Sequence, residues 1–289
     1  MTRGELTAEL AVTLGARHEA RFIVDEVNEG ASFGLDTDLA PAAIDRARVM
    51  AARRLRGEPL QYIFGHWAFR SLDLLVDPRV LIPRPETEQV VEVALSELGR
   101  MEVPAPTIVD AGTGSGAIGL SLAVEGAGLD PGGHVWATDA SPEAIEVATA
   151  NERRVRLAHA GSMLPVTILH GSWLTPLPAE LRGAVDLVVS NPPYVAESEW
   201  ADLAGDVRRE PRSALVARDG AGGCLGLADI ETVLAQAKAW LSTPGVAVVE
   251  LAPHQAEAAL VVARSHDYGD VRVEPDLAGR PRALVARLP

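Results

Sequence analysis

From Pro106 to the C-terminus, short runs of apolar and β-branched residues alternate with stretches that carry apolar residues at three- and four-residue spacing. The first pattern predicts strands and the second predicts amphipathic helices. Strand and helix repeated in this order are typical of a parallel sheet with helices on both faces. The last two predicted strands, YGDVRVEPD and RALVARLP, have no helix between them, so we expect them to pair antiparallel. The pattern therefore predicts an α/β fold with a mostly parallel sheet and an antiparallel C-terminal strand.

The residues before Pro85 do not follow this alternation. Up to about Gly57 the apolar spacing predicts helices, with Gly30 suited to a helix C-terminus and Pro41 to a first helical turn. From Pro59 to Pro85 aromatic and β-branched residues predominate, which predicts a hairpin followed by an extended link. The chain is thus predicted to have three parts: a helical domain at residues 1–58, a β-hairpin linker at 59–84 and the α/β domain at 85–289.

The composition argues against several classes of protein. The chain has 289 residues and a net charge of −14, and such a chain repels a nucleic-acid backbone unless it holds a local basic patch. Cys224 is the only cysteine, which excludes a disulfide framework and a thiolate metal cluster, and the seven histidines show no metal-site spacing. Neither an apolar run of about 18 residues nor an apolar signal core occurs. We expect a cytoplasmic protein that binds no metal, no membrane and no nucleic acid directly.

The stretch VDAGTGSGAIG lies between the first predicted strand of the α/β domain and the helix that follows. Glycine lets a backbone approach a ligand closely, and Gly114, Gly116 and Gly119 have the G-x-G-x-x-G spacing of dinucleotide-binding loops. A tight strand–helix turn is the alternative interpretation. The candidate ligand-binding residues of this loop are Gly112, Thr113, Gly114, Ser115 and Gly116.

Asp110 helps to separate the candidate ligands, because it stands at the carboxyl end of the strand, directly before the loop. A pyrophosphate bound there would meet a carboxylate, which is unfavourable. S-adenosylmethionine carries no phosphate, and its sulfonium and ammonium groups tolerate a nearby negative charge. Asp110 therefore favours S-adenosylmethionine over a nicotinamide dinucleotide.

Two further residues suit a nucleoside ligand. Asp139 ends the next predicted strand, 23 residues after Gly116, and an acid at about this separation binds ribose hydroxyls in such folds. Its alternative role is to cap the following helix, but Ser141 already suits that position. Trp173 follows the third strand, where its ring can border an adenine or simply pack against the sheet edge.

The fourth predicted strand ends in Asn191, Pro192, Pro193 and Tyr194. Ligands of an open parallel sheet lie at the carboxyl ends of the strands, so these residues should face the same crevice as the glycine loop. An amide or aromatic amine nitrogen is a poor nucleophile, and two hydrogen-bond acceptors can hold its N–H groups. The side-chain oxygen of Asn191 and the carbonyl of Pro192 are the predicted acceptors, Pro193 fixes the backbone, and Tyr194 can stack on a flat acceptor group. Asn191 would then contact both methyl donor and acceptor.

The chain resembles the bacterial release factor glutamine methyltransferases, the HemK/PrmC family. The matching stretches are GEPLQYIFG, VLIPRPETE, VDAGTGSGAIGL, VSNPPY, DVRREPRSALVA and DLAGRPRALVAR. The resemblance implies a Rossmann-like class I methyltransferase fold preceded by a small helical domain. It also implies methyl transfer from S-adenosylmethionine to the glutamine of the Gly-Gly-Gln motif of peptide chain release factors. By motif position Gly112–Gly116, Asp139 and Trp173 would contact the donor, and Asn191–Tyr194 would hold the glutamine.

Two departures from the family pattern are visible. Ser172 stands where the family often has an acidic residue before the aromatic ring, which puts one adenine contact in doubt. Glu250, Leu251 and Ala252 stand where Glu-His-Gly or a similar stretch is frequent. Neither departure lies among the residues predicted to perform the transfer.

Other functions share parts of this pattern. An adenine methyltransferase acting on DNA or RNA shares the Asn-Pro-Pro-Tyr motif but needs a basic face. The sequence does not distinguish a glutamine methyltransferase that acts on a ribosomal protein from one that acts on release factors. A nicotinamide oxidoreductase fits only the glycine spacing. A non-catalytic binding module is the remaining alternative. Arg84 and Glu86 suit either the rim of the crevice or the start of the next helix.

The helical domain suggests where a protein substrate docks. We hypothesise that residues 1 to about 80 bind the substrate and take little part in the transfer. The motivation is a run of arginines near the end of this segment: Arg46, Arg48, Arg53, Arg54 and Arg56. The alternative is a solvated face, which is the usual state of such a run.

Overall fold

The computed structural model describes residues 1–28, 34–129 and 132–289, which form two compact units. The helical unit consists of residues 1–66 and 204–209, and the sheet unit consists of residues 67–203 and 210–289. The helices are α1 Arg3–Leu14, α2 Arg17–Val27, α3 Pro41–Leu55, α4 Leu60–Phe64, α5 Pro85–Met101, α6 Ala117–Gly126, α7 Pro142–Ala158, α8 Ala228–Trp240 and α9 Ala256–Ser265. The strands are β1 His66–Phe69, β2 Leu72–Leu75, β3 Thr107–Ala111, β4 His134–Asp139, β5 Val166–His170, β6 Val185–Ser190, β7 Val195–Ala196, β8 Val216–Ala217, β9 Leu241–Glu250, β10 Asp270–Pro275 and β11 Pro281–Arg287. Among the described helices, none combines the length and the apolar composition that crossing a membrane requires.

The helical unit has its own core. Leu6 and Leu10 of α1 are buried with Ile23 of α2 and with small residues of α3. Thr2 and Glu5 form a capping box at the start of α1, so the orphan N–H groups of the first turn have partners. The predicted helices of this region are confirmed, and Pro41 occupies the first turn of α3. The predicted helix end at Gly30 lies outside the described residues.

The sheet unit is built on seven strands in the order β10-β11-β9-β6-β3-β4-β5. The strands from β9 to β5 in this order are parallel, while β11 pairs antiparallel with both β9 and β10. Every residue of β6 is buried, as expected for a central strand covered by helices on both faces. The predicted α/β fold, with its antiparallel C-terminal strand, is confirmed.

The strand order reverses next to β3. The chain runs from β3 outward to β4 and β5, and then crosses back to form β6 on the other side of β3. In such sheets the crevice at the reversal point, outside the carboxyl ends of the strands, is where ligands bind. Asp110 of β3 is paired with Val189 of β6, so Gly112 and Asn191 each lie two residues beyond this pair. The register thus brings the glycine loop and the Asn-Pro-Pro-Tyr segment to the same level.

The segment before α5 differs from its prediction. A short helix, α4, replaces the first part of the predicted hairpin, and the hairpin itself is formed by β1 and β2. Phe69, Leu72 and Leu74 of the hairpin are buried in the core of the sheet unit. The alternating apolar residues of a two-stranded hairpin need such a surface to pack on. The compact units therefore divide near residue 66, whereas the sequence suggested boundaries after residues 58 and 84.

Asn151 of α7 joins this hairpin to the glycine loop. Its Oδ1 accepts from the Leu75 N–H at 2.7 Å, and its Nδ2 donates to the carbonyls of Leu75 at 3.0 Å and Ser115 at 2.8 Å. Asn151 is fully buried, so water cannot substitute for these partners. One amide thus fixes both a strand of the hairpin and the backbone of the loop.

Replacing Asn151 with alanine removes these three hydrogen bonds together. Each buried polar group left unsatisfied costs roughly 1–3 kcal/mol, so we expect the free energy of unfolding to fall by at least about 2 kcal/mol. Urea unfolding should show a lower midpoint with an unchanged m-value. Arg153→Ala, at an exposed position of the same helix, is the matched control and should change stability by less than about 0.5 kcal/mol. Equal midpoints for the two variants would contradict the role of Asn151.

Candidate active site

A cavity of about 390 Å³ lies at the reversal point of the sheet, and all of its lining residues belong to the sheet unit. The predicted site residues that line it are Gly112, Thr113, Gly114, Ser115, Asp139, Trp173, Asn191 and Pro193. Asp110, Gly116, Pro192 and Tyr194 are not among the lining residues. The rest of the wall is formed by Arg79–Leu81, Pro83, Thr87, Ala117, Ile118, Ala140, Ser141, Ala144, Ser172, Pro211, Ser213, Ala214 and Asp229.

The glycine loop is held in shape by the end of β4. The N–H groups of Gly112 and Thr113 donate to the carbonyl of Thr138 at 2.9 and 2.8 Å. Gly112, Gly114 and Gly116 all have positive φ, at 80°, 56° and 88°. Because other residues rarely adopt this conformation, the sequence has to place glycine at each of these turns.

Asp110 supports the loop from inside. Its Oδ2 accepts from the Thr113 hydroxyl at 2.6 Å and from the Gly119 N–H at 2.8 Å, and the residue is fully buried. Burial raises the pKa of Asp110 to about 6, although these two hydrogen bonds favour the carboxylate. The sequence suggested that this carboxylate meets the ligand directly. In the structure it instead ties the loop and the start of α6 to β3.

Asp139 faces the cavity. Its Oδ2 accepts from the Gly114 N–H at 2.8 Å and its Oδ1 accepts from the Ser141 N–H at 2.9 Å. Ser141 caps α7, since its hydroxyl accepts from the Ala144 N–H at 3.1 Å. The cap predicted at Ser141 is therefore confirmed, and Asp139 is not needed for it. Burial raises the pKa of Asp139, and the backbone N–H groups of Ser141 and Gly114 oppose this shift.

Trp173 contacts both the cavity and the glycine loop. It lines the cavity, and it also packs on Gly112, where an added Cβ would lie 3.1 Å from the indole ring. Its own backbone has a positive φ of 49°, an uncommon conformation for a bulky residue. Ser172 lies beside it in the wall. The tryptophan thus packs and borders the cavity at once.

Asn191 lines the cavity, and its Nδ2 donates to the Thr87 hydroxyl at 3.3 Å. That hydroxyl in turn donates to Glu250 at 2.7 Å. The Thr87 hydroxyl thus holds the Asn191 NH2 group. Thr87 was not among the residues that the sequence singled out.

Tyr194 contacts buried groups and is not among the residues that line the cavity. Its hydroxyl donates to Glu250 at 3.3 Å, and its backbone carbonyl accepts from Gln255 at 3.1 Å. Burial raises the pKa of the Tyr194 phenol, which keeps its proton available for this hydrogen bond. Pro193, rather than Pro192 or Tyr194, forms this part of the cavity wall. Stacking by Tyr194 and acceptance by the Pro192 carbonyl stay predictions.

Glu250 does not line the cavity but accepts the hydrogen bond from Thr87, and the sequence singles it out only as part of a departure from the family pattern. It ends β9, is fully buried, and lies 3.7 Å from the guanidinium of Arg282. Burial raises the pKa of Glu250 to about 7, while the hydrogen bond from Thr87 and the charge of Arg282 oppose this shift. The sequence feature that could have indicated it is the single carboxylate near the end of the apolar run VAVVELA, because a carboxylate is rarely buried without a partner.

An ion pair links the segment before α5 to the segment around Pro211, and both segments contribute residues to the cavity wall. Arg84 is paired with Glu210, whose second oxygen accepts from the Ile82 N–H at 2.9 Å. Glu86 lies in the first turn of α5, where its charge favours the helix, and it is also 3.3 Å from Arg280. Arg84 is the N-cap residue of α5 and, like Glu86, is not among the residues that line the cavity, so both fit the predicted helix start. Among the described residues, no group of three or more His, Cys, Asp or Glu side chains is placed to hold a metal ion.

Comparison with known sequences shows close relatives over most of the chain. Residues 92–217 match the family model described as the methyltransferase small domain. The release factor glutamine methyltransferase of Moorella thermoacetica is 43% identical over 254 residues, which cover 87% of this chain and 83% of that protein. The one of Bordetella pertussis is 40% identical and covers 92% of this chain and 93% of that protein.

Solved structures share the fold. The hMettl16 catalytic domain in complex with a MAT2A 3′UTR hairpin has a TM-score of 0.50 at 16% identity, covering 98% of this chain and 91% of that one. A T. thermophilus 16S rRNA methyltransferase in complex with AdoMet and guanosine has a TM-score of 0.50 at 19% identity, covering 78% and 50%. At these identities the likeness shows the class I methyltransferase fold and nothing about the acceptor.

Alanine at Gly112 must adopt a φ near 80° and also press on Trp173, whereas alanine at Gly114 meets open space. The left-handed backbone costs roughly 1–2 kcal/mol at either position. We expect Gly112→Ala to lose roughly 1 kcal/mol more, as overpacking does. Urea unfolding measures both, and the extra loss should disappear in the Trp173→Ala background. Equal losses at the two glycines would show that the tryptophan contact is unimportant.

Proposed function

The chain belongs to the release factor glutamine methyltransferases, and from that premise we propose that it methylates the side-chain amide of a glutamine in peptide chain release factors, using S-adenosyl-L-methionine as donor. One observation carries the proposal. The glycine loop after β3 and Asn191 after β6 line the same cavity, because these two strands are neighbours in the sheet. Donor and acceptor can therefore be held next to each other.

The glycine-loop side fits the donor. Asp139 presents a carboxylate whose two oxygens each accept one backbone N–H, so lone pairs remain for ribose hydroxyls. Trp173 provides an apolar ring beside Gly112, a surface that suits an adenine ring. When bound there, S-adenosylmethionine supplies an electrophilic methyl group on a sulfonium. The buried carboxylate of Asp110 behind the loop is compatible with that positive charge and unfavourable for a pyrophosphate.

The Asn191 side fits an amide. The nitrogen of a glutamine side chain is a weak nucleophile, so orientation has to supply much of the rate. The Oδ1 of Asn191 can accept from the glutamine NH2 group, and Pro193 forms a rigid wall next to it. After transfer the new C–N bond leaves a positively charged nitrogen that readily releases its proton to solvent. The chain therefore needs no strong base in the cavity.

The alternatives have less support. The acidic net charge of −14 is unfavourable for a nucleic-acid acceptor, and the relatives are named for release factors. We place the methylated glutamine in the Gly-Gly-Gln motif of the factor, as the family resemblance implies. A cytoplasmic location follows from this substrate, since release factors act on ribosomes.

We propose that the helical unit docks the release factor, with exposed apolar side chains contributing more than the arginine run. Arg48 pairs with Glu9 and Arg54 pairs with Glu19, both at 2.8 Å, so these arginines are used inside the unit. Arg53 likewise binds Glu58, and Arg46 binds the carbonyl of Val27. The exposed apolar side chains of α1, α2 and α3 are better candidates for a protein interface: Val12, Phe22, Val49 and Leu55.

The methyl transfer is tested with methyl-labelled S-adenosylmethionine and three acceptors: a release factor, a ribosomal protein fraction and DNA. We expect label on the release factor alone, at a glutamine that peptide mass spectrometry locates. Asn191→Ala should bind the donor with a nearly unchanged Kd but lose about a hundredfold in single-turnover rate, because a misplaced nitrogen reacts slowly. Label on DNA would contradict the proposal. A rate within about threefold of the unsubstituted protein would leave Asn191 as a turn residue only.

Docking is tested by replacing Val12, Phe22, Val49 and Leu55 one at a time with glutamate. At least one variant should raise KM for the whole release factor about tenfold, a loss of roughly 1.4 kcal/mol of binding. The same variant should methylate a short Gly-Gly-Gln peptide as fast as the unsubstituted protein, because the peptide lacks the part of the release factor that the helical unit would bind. If all four keep KM within about twofold, the release factor docks elsewhere.

A further inference from the structure

Two buried polar residues stand behind Asn191, outside the predicted site. Thr87 lies in the first turn of α5 and is 4% exposed, and Glu250 is the last residue of β9 and is 0% exposed. β9 pairs in parallel with β6, with Ser190 opposite Val249. Glu250 therefore follows Val249 at the level where Asn191 follows Ser190. Polar groups so deeply buried normally have an identifiable task or a complete set of partners.

The hydrogen bonds of these residues form a chain. Asn191 Nδ2 donates to Thr87 Oγ1 at 3.3 Å, and Thr87 Oγ1 donates to Glu250 Oε2 at 2.7 Å. The other oxygen of Glu250 accepts from the Tyr194 hydroxyl at 3.3 Å. Glu250 thus accepts from two hydroxyls, one of which also contacts the amide that lines the cavity.

The single proton of the Thr87 hydroxyl determines how the Asn191 amide is oriented. A threonine hydroxyl has one proton to donate and lone pairs with which to accept. While the Thr87 hydroxyl donates its one proton in a hydrogen bond to the carboxylate of Glu250, the Thr87 oxygen can only accept a hydrogen bond from Asn191. It then attracts the NH2 end of Asn191 and repels the carbonyl end. The amide oxygen is left on the side away from Thr87.

We propose that Thr87 and Glu250 are positioning residues that keep the Asn191 carboxamide oriented with its oxygen free for the acceptor amide. The proposal rests on the methyl transfer proposed above and adds what controls it. With the opposite orientation, Asn191 would present its NH2 group to the NH2 group of the glutamine. Two donors cannot pair, so the acceptor would lose the hydrogen bond that holds it.

The orientation depends on the charge of Glu250. The groups that face this carboxylate are Thr87 and Glu86 from α5, Tyr194 from the loop after β6, and Arg282 from β11. Burial raises the pKa of Glu250 to about 7. Below that pH the protonated acid can donate to Thr87, and the Thr87 proton is then free to turn to the Asn191 oxygen. Turnover should therefore rise as pH rises through about 7.

The first test compares Thr87→Val with Thr87→Ser in the full chain. Valine keeps the shape but cannot accept from Asn191, so the single-turnover rate should fall at least tenfold, with the donor Kd by calorimetry unchanged within twofold. Serine keeps the hydroxyl and should restore the rate to within about threefold. Thr232→Val, which removes a hydroxyl bonded to the Ala228 carbonyl on α8, is the matched control and should be fully active. Full activity in Thr87→Val, or equal loss in both Thr87 variants, would overturn the proposal.

The second test uses Glu250→Gln and pH. The unsubstituted protein should lose rate between pH 8 and pH 6, and the variant should show a flat profile, because its side chain does not titrate. Identical profiles would overturn the role of Glu250. Melting temperatures measured at both pH values show whether a loss of rate reflects unfolding instead.

The third test needs no methyl transfer, so it separates this proposal from the proposed function. The side-chain NH2 resonances of Asn191, assigned by their loss in Asn191→Ala, are followed by nitrogen-15 NMR without donor or acceptor. They should shift on acidification in the unsubstituted protein and should not shift in Thr87→Val or Glu250→Gln. A shift that persists in both variants would overturn the hydrogen-bond chain, whatever the acceptor is.

Discussion

The parallel pairing of β3 with β6 determines which parts of the chain meet at the cavity. These strands are separated in the sequence by two other strands and their helices, yet Asp110 and Val189 are opposite each other in the sheet. Their register sets the glycine loop and Asn191 at one height. The reversal of strand order beside β3 leaves a crevice between the two loops rather than a packed helix. Asp139 and Glu250 end β4 and β9, the neighbouring strands on either side, and complete the cavity region.

Burial gives the polar groups of this region their properties. Asp110 and Glu250 are fully buried, with pKa values raised to about 6 and about 7. Each carboxylate accepts a hydrogen bond from the hydroxyl of a threonine that lines the cavity, Thr113 for Asp110 and Thr87 for Glu250. A cation in the cavity favours the charged form of both acids. Occupancy of the donor position and ionisation of these carboxylates are thus expected to reinforce each other.

Local patterns were sufficient to predict most of the fold and part of the site. The α/β alternation, the antiparallel C-terminal strand and the Ser141 cap follow from periodicity and from capping preferences, which act over a few residues. The Thr87–Glu250 contact joins residues 163 positions apart, and no periodicity in the sequence encodes such a pair. The hydrogen bond from Tyr194 to the same carboxylate joins residues 56 positions apart, so it could not be predicted either. The helix α4 was missed because the aromatic residues of LQYIF suit a strand equally well.

The nine residues from Arg79 to Thr87 both line the cavity and supply the hydroxyl that contacts Asn191. Arg79, Val80, Leu81 and Pro83 form part of the cavity wall, and Thr87, in the first turn of α5, contacts Asn191. Between them, Ile82 and Arg84 are fastened to Glu210. An α-helix turns by about 100° per residue, so losing or gaining a single residue between Arg84 and Thr87 would carry the hydroxyl to another face. This stretch should therefore accept changes of residue type far more readily than changes of length, unlike the surface loops of the same chain.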